Sequence, residues 1–136
     1  MSDARPRPAA DADSEPFWSA ARDGRLILQR CGMCESYIHY PRFLCPTCHA
    51  RELEWVDAAG TGVIYSYTVS RRPPSPAFAD AVPYVVALVE LTEGPRLMTN
   101  IVDAPEDVWI GAPVEVIFET IDDACTLPVF RLLTRT

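Results

Sequence analysis

The sequence has no long hydrophobic run and no excess of basic residues. Without an apolar run of about 18 residues or more, no transmembrane helix is expected. Since no apolar segment opens the chain, neither export nor an oxidising compartment is expected, which predicts a cytoplasmic location. Twelve basic against 19 acidic residues give a formal charge of −7. A chain this acidic lacks the basic face of a non-specific nucleic-acid-binding protein.

Residues suited to catalysis are also scarce. The chain has only two histidines, His39 and His49, and both lie close to a group of cysteines. No Ser-His-Asp set, paired carboxylate motif or glycine-rich phosphate loop can be assembled from the sequence. We therefore predict no catalytic residue, so the chain is not expected to be an enzyme on its own.

Four of the five cysteines form two Cys-x-x-Cys pairs. Cys31 and Cys34 are separated from Cys45 and Cys48 by only ten residues, so the four thiolates can converge on one tetrahedral cation. We predict a structural zinc site, because four thiolates leave no open coordination position. A single iron ion in the same ligand set remains an alternative, since ligand number and geometry do not separate the two metals.

Other roles for these cysteines fit less well. Two disulfides require an oxidising compartment, for which the sequence carries no signal. Residues 45–49 match the pattern of covalent haem attachment, but that chemistry needs export and leaves the first pair unexplained. Neither His39 nor His49 is expected to replace a sulfur ligand, and Cys125 is expected to be an inert buried thiol.

The segment around the cysteines is predicted to be a three-stranded ribbon. Residues 25–30 alternate as a strand that enters the first cysteine turn, residues 37–42 return from it, and residues 53–56 leave the second turn. The residue after each pair commonly has positive φ, where glycine is favoured. Glu35 and His49 occupy those two positions.

Composition divides the 136 residues into three regions. Residues 1–13 are rich in Ala, Pro and Asp without periodic apolar positions, and we expect them to be a disordered leader. Residues 14–57 are predicted to form a short helix, capped by Ser14 or Asp13, and then the zinc ribbon. Residues 58–136 are predicted to hold the main core.

The third region has the pattern of short strands separated by turn residues. In residues 63–70 apolar and polar residues alternate, which predicts a half-buried strand. Its apolar residues, predicted to face one way, are Val63, Tyr65, Tyr67 and Val69. Five strands, with a helical turn between the third and fourth, suit a Greek-key barrel of the OB type in a mainly β protein. The strands are residues 63–70, 83–91, 96–102, 113–119 and 127–133, and the helical turn is residues 104–109.

The order and spacing of these motifs closely resemble one family along residues 14–134. The motifs are Pro16-Phe17-Trp18, Gly24-Arg25-Leu26, the two cysteine pairs, Tyr40-Pro41-Arg42, Leu53-Glu54-Trp55, residues 60–66, Arg72-Pro73, Pro83-Tyr84, Val89-Glu90-Leu91, Gly111 with Pro113-Val114, and Pro128-Val129-Phe130. The chain resembles the acyl-CoA-associated family with a rubredoxin-like zinc ribbon joined to an OB-fold, catalogued as domain of unknown function family 35. It departs from that family at Glu35 and His49, where members often have glycine, and in its acidic leader.

Members of that family look like small non-catalytic partners of thiolase-like enzymes. The resemblance therefore implies an accessory subunit that binds a thiolase, aldolase or acyltransferase in a hetero-oligomer, in lipid or steroid metabolism. It also implies CoA or acyl-CoA as a ligand, which needs cations for its phosphates and an apolar wall for its pantetheine arm and acyl chain. The residues suited to those roles are Arg71, Arg72, Phe17, Trp18, Phe78 and Tyr84.

Several alternatives remain open. Zinc ribbons and OB barrels also bind single-stranded nucleic acids, although the acidic charge counts against that role. A stand-alone acyl-CoA-binding protein would need no partner, and a stand-alone acyl-CoA hydrolase or aldolase would turn over thioesters alone. Arg71 and Arg72 are equally well explained as a solvated loop pair. Simple packing on the barrel is the alternative for the helix face that holds Phe17 and Trp18.

Overall fold

A computed structural model of the chain, which describes residues 8–102 and 104–133, contains one α-helix and eight β-strands in two sheets. The elements are α1 (Glu15–Arg22), β1 (Ile27–Cys31), β2 (Tyr37–Ile38), β3 (Leu53–Asp57), β4 (Thr61–Ser70), β5 (Tyr84–Leu91), β6 (Arg96–Ile101), β7 (Pro113–Asp122) and β8 (Cys125–Leu132). A short 3-10 helix, Pro76–Phe78, lies between β4 and β5. The predicted mainly β architecture, with one short helix, a ribbon and a barrel, is confirmed. Among the described residues, no helix has the length and apolarity needed to cross a bilayer.

Helix α1 follows a turn that Asp11 and Ser14 hold together. The Ser14 backbone N–H donates to Asp11 Oδ1 at 2.8 Å, and the Asp11 N–H donates to Ser14 Oγ at 3.0 Å. Ser14, one of the two predicted caps, is fully buried at the N-cap position, but its side chain makes no capping hydrogen bond to α1. Of the expected leader, residues 1–7 lie outside the described residues, and residues 8–13 lead into this turn.

The ribbon is an antiparallel sheet of order β2-β1-β3. Strand β2 has two residues, so the strand predicted at residues 37–42 is too long. The cause is the buried side chain of Gln29, which hydrogen-bonds the N–H and the carbonyl of Arg42. These backbone groups therefore do not pair with a neighbouring strand. The Arg42 N–H donates to Gln29 Oε1 at 2.7 Å, and Gln29 Nε2 donates to the Arg42 carbonyl at 2.9 Å.

The other five strands close a barrel in the order β4-β5-β6-β8-β7. All neighbouring strands pair antiparallel except β6 and β8, whose parallel contact has the single register pair Ile101 and Phe130. The Thr99 hydroxyl donates to the Pro128 carbonyl at 3.1 Å across the same contact. This junction, termed the β6–β8 seam, closes a core in which Phe130 is fully buried.

Strand β4 does not alternate along its length as predicted. A bulge after Ile64 shifts its pairing with β5, so that Val63 lies opposite Glu90 and Tyr67 lies opposite Ala87. Directly opposed residues share a face of the sheet, and Ala87 is buried while Glu90 is partly exposed. Val63 is therefore on the outer face and Tyr67 on the inner one. The prediction that the four apolar residues face one way is wrong, because the extra residue reverses the alternation beyond it.

The segment at residues 104–109, predicted as a helical turn, is a single hydrogen-bonded turn and not a regular helix. The Asp107 N–H donates to the carbonyl of buried Ala104 at 3.2 Å. The segment then runs along the edge of β4, where the Ile64 N–H donates to the Ala112 carbonyl at 3.0 Å. Pairing with β4 thus uses the backbone that would otherwise extend the turn.

Candidate functional site

The four paired cysteines form one cluster at the tip of the ribbon. Their Sγ atoms all lie within 4.8 Å of one another. The Cys31–Cys48 and Cys34–Cys45 Sγ–Sγ distances are both 3.6 Å. A tetrahedral zinc ion with Zn–S bonds of ~2.3 Å requires sulfur–sulfur edges of about 3.8 Å. The cluster therefore fits a zinc ion held by four thiolates.

Backbone N–H groups point at the two buried sulfurs. Cys31 Sγ accepts from the N–H groups of Met33 and Cys34 at 3.4 and 3.5 Å, and Cys45 Sγ accepts from Thr47 at 3.4 Å. Such donors stabilise a thiolate, which is the form that binds metal. Both ligand turns are thus arranged to receive a cation.

The residues that follow each cysteine pair support the cluster. Glu35 and His49 have φ of 65° and 64°, which confirms the predicted positive values. Each donates its N–H to the carbonyl of the first cysteine in its pair at 2.9 Å. The Ser36 hydroxyl lies 3.3 Å from Cys34 Sγ and lowers the pKa of that thiol to about 6. This exposed ligand is therefore readily deprotonated.

A largely apolar cavity of about 500 Å³ lies between α1, the ribbon and the barrel. Phe17 and Trp18 of α1 form one side, and His39 and Tyr40 of the ribbon form another. This space is termed the seam cavity because its floor follows the β6–β8 seam. The floor includes Leu88, Arg96, Met98, Asn100, Leu127 and Val129.

Strands β6 and β8 pair at one register position, and residues of both strands line the seam cavity. Leu97, Thr99 and Pro128 also reach the cavity. Helix α1 covers the gap through Phe17, which is 2% exposed and belongs to the barrel core, with the Trp18 ring edge-on at 4.9 Å. The two readings of this helix face are therefore compatible, because Phe17 both packs on the barrel and lines the cavity.

His39 is part of the apolar wall of this cavity. Its ring centre lies 5.3 Å from that of Phe17 and 5.4 Å from that of Tyr40. Burial lowers the pKa of His39 from its ordinary 6.5 to about 4. The imidazole is therefore neutral near pH 7.

Acid is expected to weaken the fold through His39. Its folded-state pKa of about 4 lies below the unfolded value of 6.5, so the unfolded chain binds the proton first. The stability contributed by neutral His39 is present above about pH 6.5 and is lost as the pH falls toward 4, by up to about 3 kcal/mol. Urea unfolding at several pH values measures this loss. The slope of unfolding free energy against pH should be shallower in His39→Gln than in wild type. Identical slopes in the two proteins would contradict the assignment.

A second cavity, of about 370 Å³, lies beside the long loop between β4 and β5 and is termed the loop cavity. Phe78 and Tyr84 line it with their ring centres 5.8 Å apart. Glu119 of β7 adds a carboxylate to its wall. Asn100 lines both cavities, so the two are neighbours along the β5–β6 surface.

Arg71 and Arg72 are exposed in the β4–β5 loop and line neither cavity. Arg71 Nη2 lies 3.9 Å from Glu106 Oε1, an exposed pair of small energetic value. Since Pro105, the chain neighbour of Glu106, lines the loop cavity, Arg71 lies near its rim. The six predicted ligand residues thus divide into three groups, Phe17 with Trp18, Phe78 with Tyr84, and Arg71 with Arg72.

Arg96 is a cavity residue that sequence reasoning missed. It lines the seam cavity, its guanidinium carbon lies 3.6 Å from the centre of the Tyr65 ring, and its Nε donates to Glu90 Oε2 at 3.3 Å. No motif surrounds this residue. Only the strand register and the β4 bulge bring the three side chains together, so the sequence offers no signal for it.

Comparisons with known proteins agree with this architecture. A model of the ChsH2 rubredoxin-like zinc ribbon domain matches residues 18–54, and a model of the ChsH2 C-terminal OB-fold domain matches residues 55–119. The boundary between the two matches falls in β3, where the ribbon ends. Together they cover the metal cluster and most of the barrel.

Two relatives are similar to this chain in sequence but differ in length. A DUF35 domain-containing scaffold protein of Methanocaldococcus jannaschii is 40% identical over 100 residues, which are 72% of this chain and 70% of the relative. A probable enoyl-CoA hydratase alpha subunit of Thermomonospora curvata is 50% identical over 128 residues, which are 93% of this chain. The chain spans only 40% of the length of that hydratase subunit.

A solved structure is similar over nearly the whole chain. A chain of the Ltp2-ChsH2(DUF35) aldolase superposes with a TM-score of 0.85 at 48% identity. The match covers 94% of this chain and 100% of that chain. The helix, ribbon and barrel described above therefore recur as a unit in the matched chain of that aldolase.

Proposed function

This chain belongs to the DUF35 family, in which a ChsH2-type zinc ribbon is joined to an OB-fold, and on that premise we propose that it is a non-catalytic accessory subunit of a thiolase-like enzyme such as an aldolase. The observation that carries the proposal is the similarity, over the full length of the matched chain, to the DUF35 part of an aldolase. In this role the chain binds the enzyme and contributes a surface for its substrate.

The residues of the site support an accessory role. Four thiolates fill the coordination of a zinc ion and leave no position for substrate. Among the described residues that line the seam cavity there is no carboxylate, and the hydroxyl of Thr99 donates to a backbone carbonyl. His39 is neutral near pH 7 and packs against the rings of Phe17 and Tyr40. The cavity is thus suited to holding a ligand and not to reacting with it.

We further propose that the two cavities bind an acyl-CoA. The seam cavity, at about 500 Å³, has the volume and apolar wall of a small-molecule site and accommodates a bulky acyl group of the kind found in lipid or steroid metabolism. Phe78 and Tyr84 offer aromatic surface to the rest of the ligand in the neighbouring loop cavity. Arg71 and Arg72 supply cations for phosphates near its rim, and Arg96 supplies one at the seam cavity.

The similarity to a hydratase alpha subunit favours a second class of partner. That relative contains this unit in 40% of its length, joined to a longer chain. A separate hydratase chain is therefore the alternative enzyme for this subunit to serve. The accessory role is the same for either partner.

Co-expression with the Ltp2 chain of the similar aldolase tests the proposed function. A stable complex is expected in size-exclusion chromatography with light scattering, with aldol cleavage of an acyl-CoA by the complex and none by this chain alone. Thioester turnover by this chain alone, or failure to associate with either Ltp2 or a hydratase chain, would contradict the accessory role.

The proposed phosphate contacts predict a specific loss of CoA affinity. Arg71→Glu with Arg72→Glu should weaken CoA binding to the complex by about tenfold or more, because two charge-assisted contacts are reversed. Isothermal titration calorimetry measures the affinity. Arg25→Glu with Arg131→Glu is the matched control, since both arginines are exposed and outside the cavities. An unchanged affinity in the first variant would show that Arg71 and Arg72 are solvated loop charges.

A further inference from the structure

The metal-binding tip of the ribbon carries exposed apolar side chains. Met33 is 68% exposed and Phe43 is 63% exposed. Met33 precedes Cys34, and Leu44 precedes Cys45, and the Sγ atoms of these two cysteines lie 3.6 Å apart. The apolar residues therefore flank the same edge of the cluster. A grouped apolar surface of this kind marks an interaction site, whereas scattered exposed apolar residues do not. This surface, termed the knuckle patch, consists of Met33, Arg42, Phe43, Leu44 and Arg51.

The knuckle patch is basic in an otherwise acidic chain. Residues 36–51 contain two arginines, Arg42 and Arg51, and none of the 19 acidic residues. Both arginines are exposed, and neither forms an ion pair within the described residues. The Arg51 guanidinium carbon lies 5.4 Å from the centre of the Phe43 ring, so cation and apolar surface are presented together.

The metal cluster lies beside these two cations and adds negative charge of its own. Zinc with four thiolates carries a formal charge of about −2. The sulfurs of Cys31 and Cys45 are buried and accept backbone N–H groups, whereas Cys34 and Cys48 are exposed. Arg42 and Arg51 are exposed as well, so the tip presents two cations and apolar side chains next to the thiolates.

The patch is held rigidly and adjoins the seam cavity. Buried Gln29 bonds both backbone groups of Arg42, at 2.7 and 2.9 Å, and the cysteine ligands fix the turns on either side. Tyr40, two residues before Arg42, lines the cavity. A preorganised surface loses little conformational entropy on binding. A chain bound at the patch would lie beside the cavity opening.

We propose that the knuckle patch is the surface that docks into the partner enzyme, in a groove with an apolar floor and an acidic rim. The inference rests on the accessory role proposed above. Aromatic residues, methionine and arginine are enriched in the centres of protein interfaces, which is the composition found here. Two cations are too few to track a phosphate backbone, and Phe43 gives the patch a single ring, whereas the stacking of successive bases needs several. The patch therefore favours a protein over a nucleic acid.

Paired substitutions test whether the partner binds at the knuckle patch and not at another exposed apolar surface. The probe is purified Ltp2, and the readout is the dissociation constant of its complex with the full zinc-loaded chain. Met33→Ser with Phe43→Ser is expected to weaken the complex by about 30-fold or more, because two central apolar contacts are removed. Ile110→Ser with Leu133→Ser is the matched control, since it removes two side chains that are 59% and 50% exposed elsewhere. The control is expected to change the affinity by less than about threefold.

The basic character of the patch is tested separately. Arg42→Gln with Arg51→Gln is expected to lower the association rate about tenfold at low salt and to reduce its dependence on ionic strength. Arg25→Gln with Arg131→Gln removes two cations that are already paired with Asp57 and Glu115, and should leave the rate close to wild type. Zinc content and melting temperature identify any variant whose ribbon is damaged.

Each outcome bears on the proposal. Wild-type affinity in both patch variants, with intact zinc, overturns it, and so does a loss of affinity confined to the two control pairs. Binding of a fluorescent single-stranded oligonucleotide that is lost in the Arg42 and Arg51 variant also overturns it, in favour of a nucleic acid. A wild-type chain that binds neither Ltp2 nor a hydratase chain contradicts the accessory role and removes the docking proposal with it. Loss of binding in the patch variants alone supports the proposal.

Discussion

Replacing Cys31 by alanine is expected to abolish metal binding and to unfold the metal-binding end of the ribbon, residues 31–48. The core at this end of the ribbon is very small, with Cys31, Ile38 and Cys45 as its buried members. A core of that size cannot hold a fold by itself, so the metal supplies the free energy, about 10–16 kcal/mol for structural zinc in peptides. Elemental analysis and near-ultraviolet circular dichroism measure the loss. Because His39 and Tyr40 lie in the ribbon and line the seam cavity, the cavity should lose one wall when this end of the ribbon unfolds.

The matched control for this substitution is Cys125→Ala. Cys125 is buried in the barrel at the start of β8 and lies outside the metal cluster, so this variant should keep one metal ion per chain. Full metal content in Cys31→Ala would contradict the four-thiolate assignment. The wild-type protein is expected to be colourless, since zinc absorbs no visible light, whereas iron in the same site would colour it.

Replacing Phe17 by alanine is expected to destabilise the protein by about 3–5 kcal/mol, the cost of removing a buried phenylalanine. Phe17 is 2% exposed, joins the barrel core and touches both Trp18 and His39, so its removal leaves a void that opens into the seam cavity. Urea unfolding followed by tryptophan fluorescence measures the change. The substitution should also loosen helix α1 from the β6–β8 seam.

Trp18→Phe provides the comparison. Trp18 is partly exposed, and its Nε1 atom is buried without a hydrogen-bond partner among the described residues. Removing an unsatisfied buried donor costs little and can be neutral. This variant is therefore expected to stay within about 1 kcal/mol of wild type. Equal destabilisation by the two substitutions would show that α1 is not anchored through Phe17.

The ribbon was predictable from sequence because its determinants are local. The four cysteine ligands fall within residues 31–48, and the positive φ at Glu35 and His49 follows from the turn that each pair requires. The strands of the barrel were also located, because alternation and turn residues are read over a few positions. The length of β2 was not predicted, since it depends on the side chain of Gln29 in another strand.

Features that depend on strand register were not predictable in the same way. One extra residue after Ile64 reverses which side chains of β4 face inward, and composition does not reveal where a bulge falls. The seam cavity lies where residues of β6 and β8, two strands distant in sequence, come together beneath α1. Arg96 becomes part of that cavity through its strand partner Glu90 and the neighbouring Tyr65, none of which carries a sequence motif.

The packing of α1 on β8 determines the order in which the protein is completed during synthesis. Arg22 donates to the carbonyl of Ala124 at 3.2 Å across 102 residues, so the packing of the helix is not complete until β8 has been made. The metal ligands lie within residues 31–48 and close a short loop, which costs little chain entropy. A nascent chain elongating at about 5–20 residues per second would thus hold a metal-loaded ribbon for several seconds before the β6–β8 seam closes. The seam cavity is consequently the last part of the molecule to form.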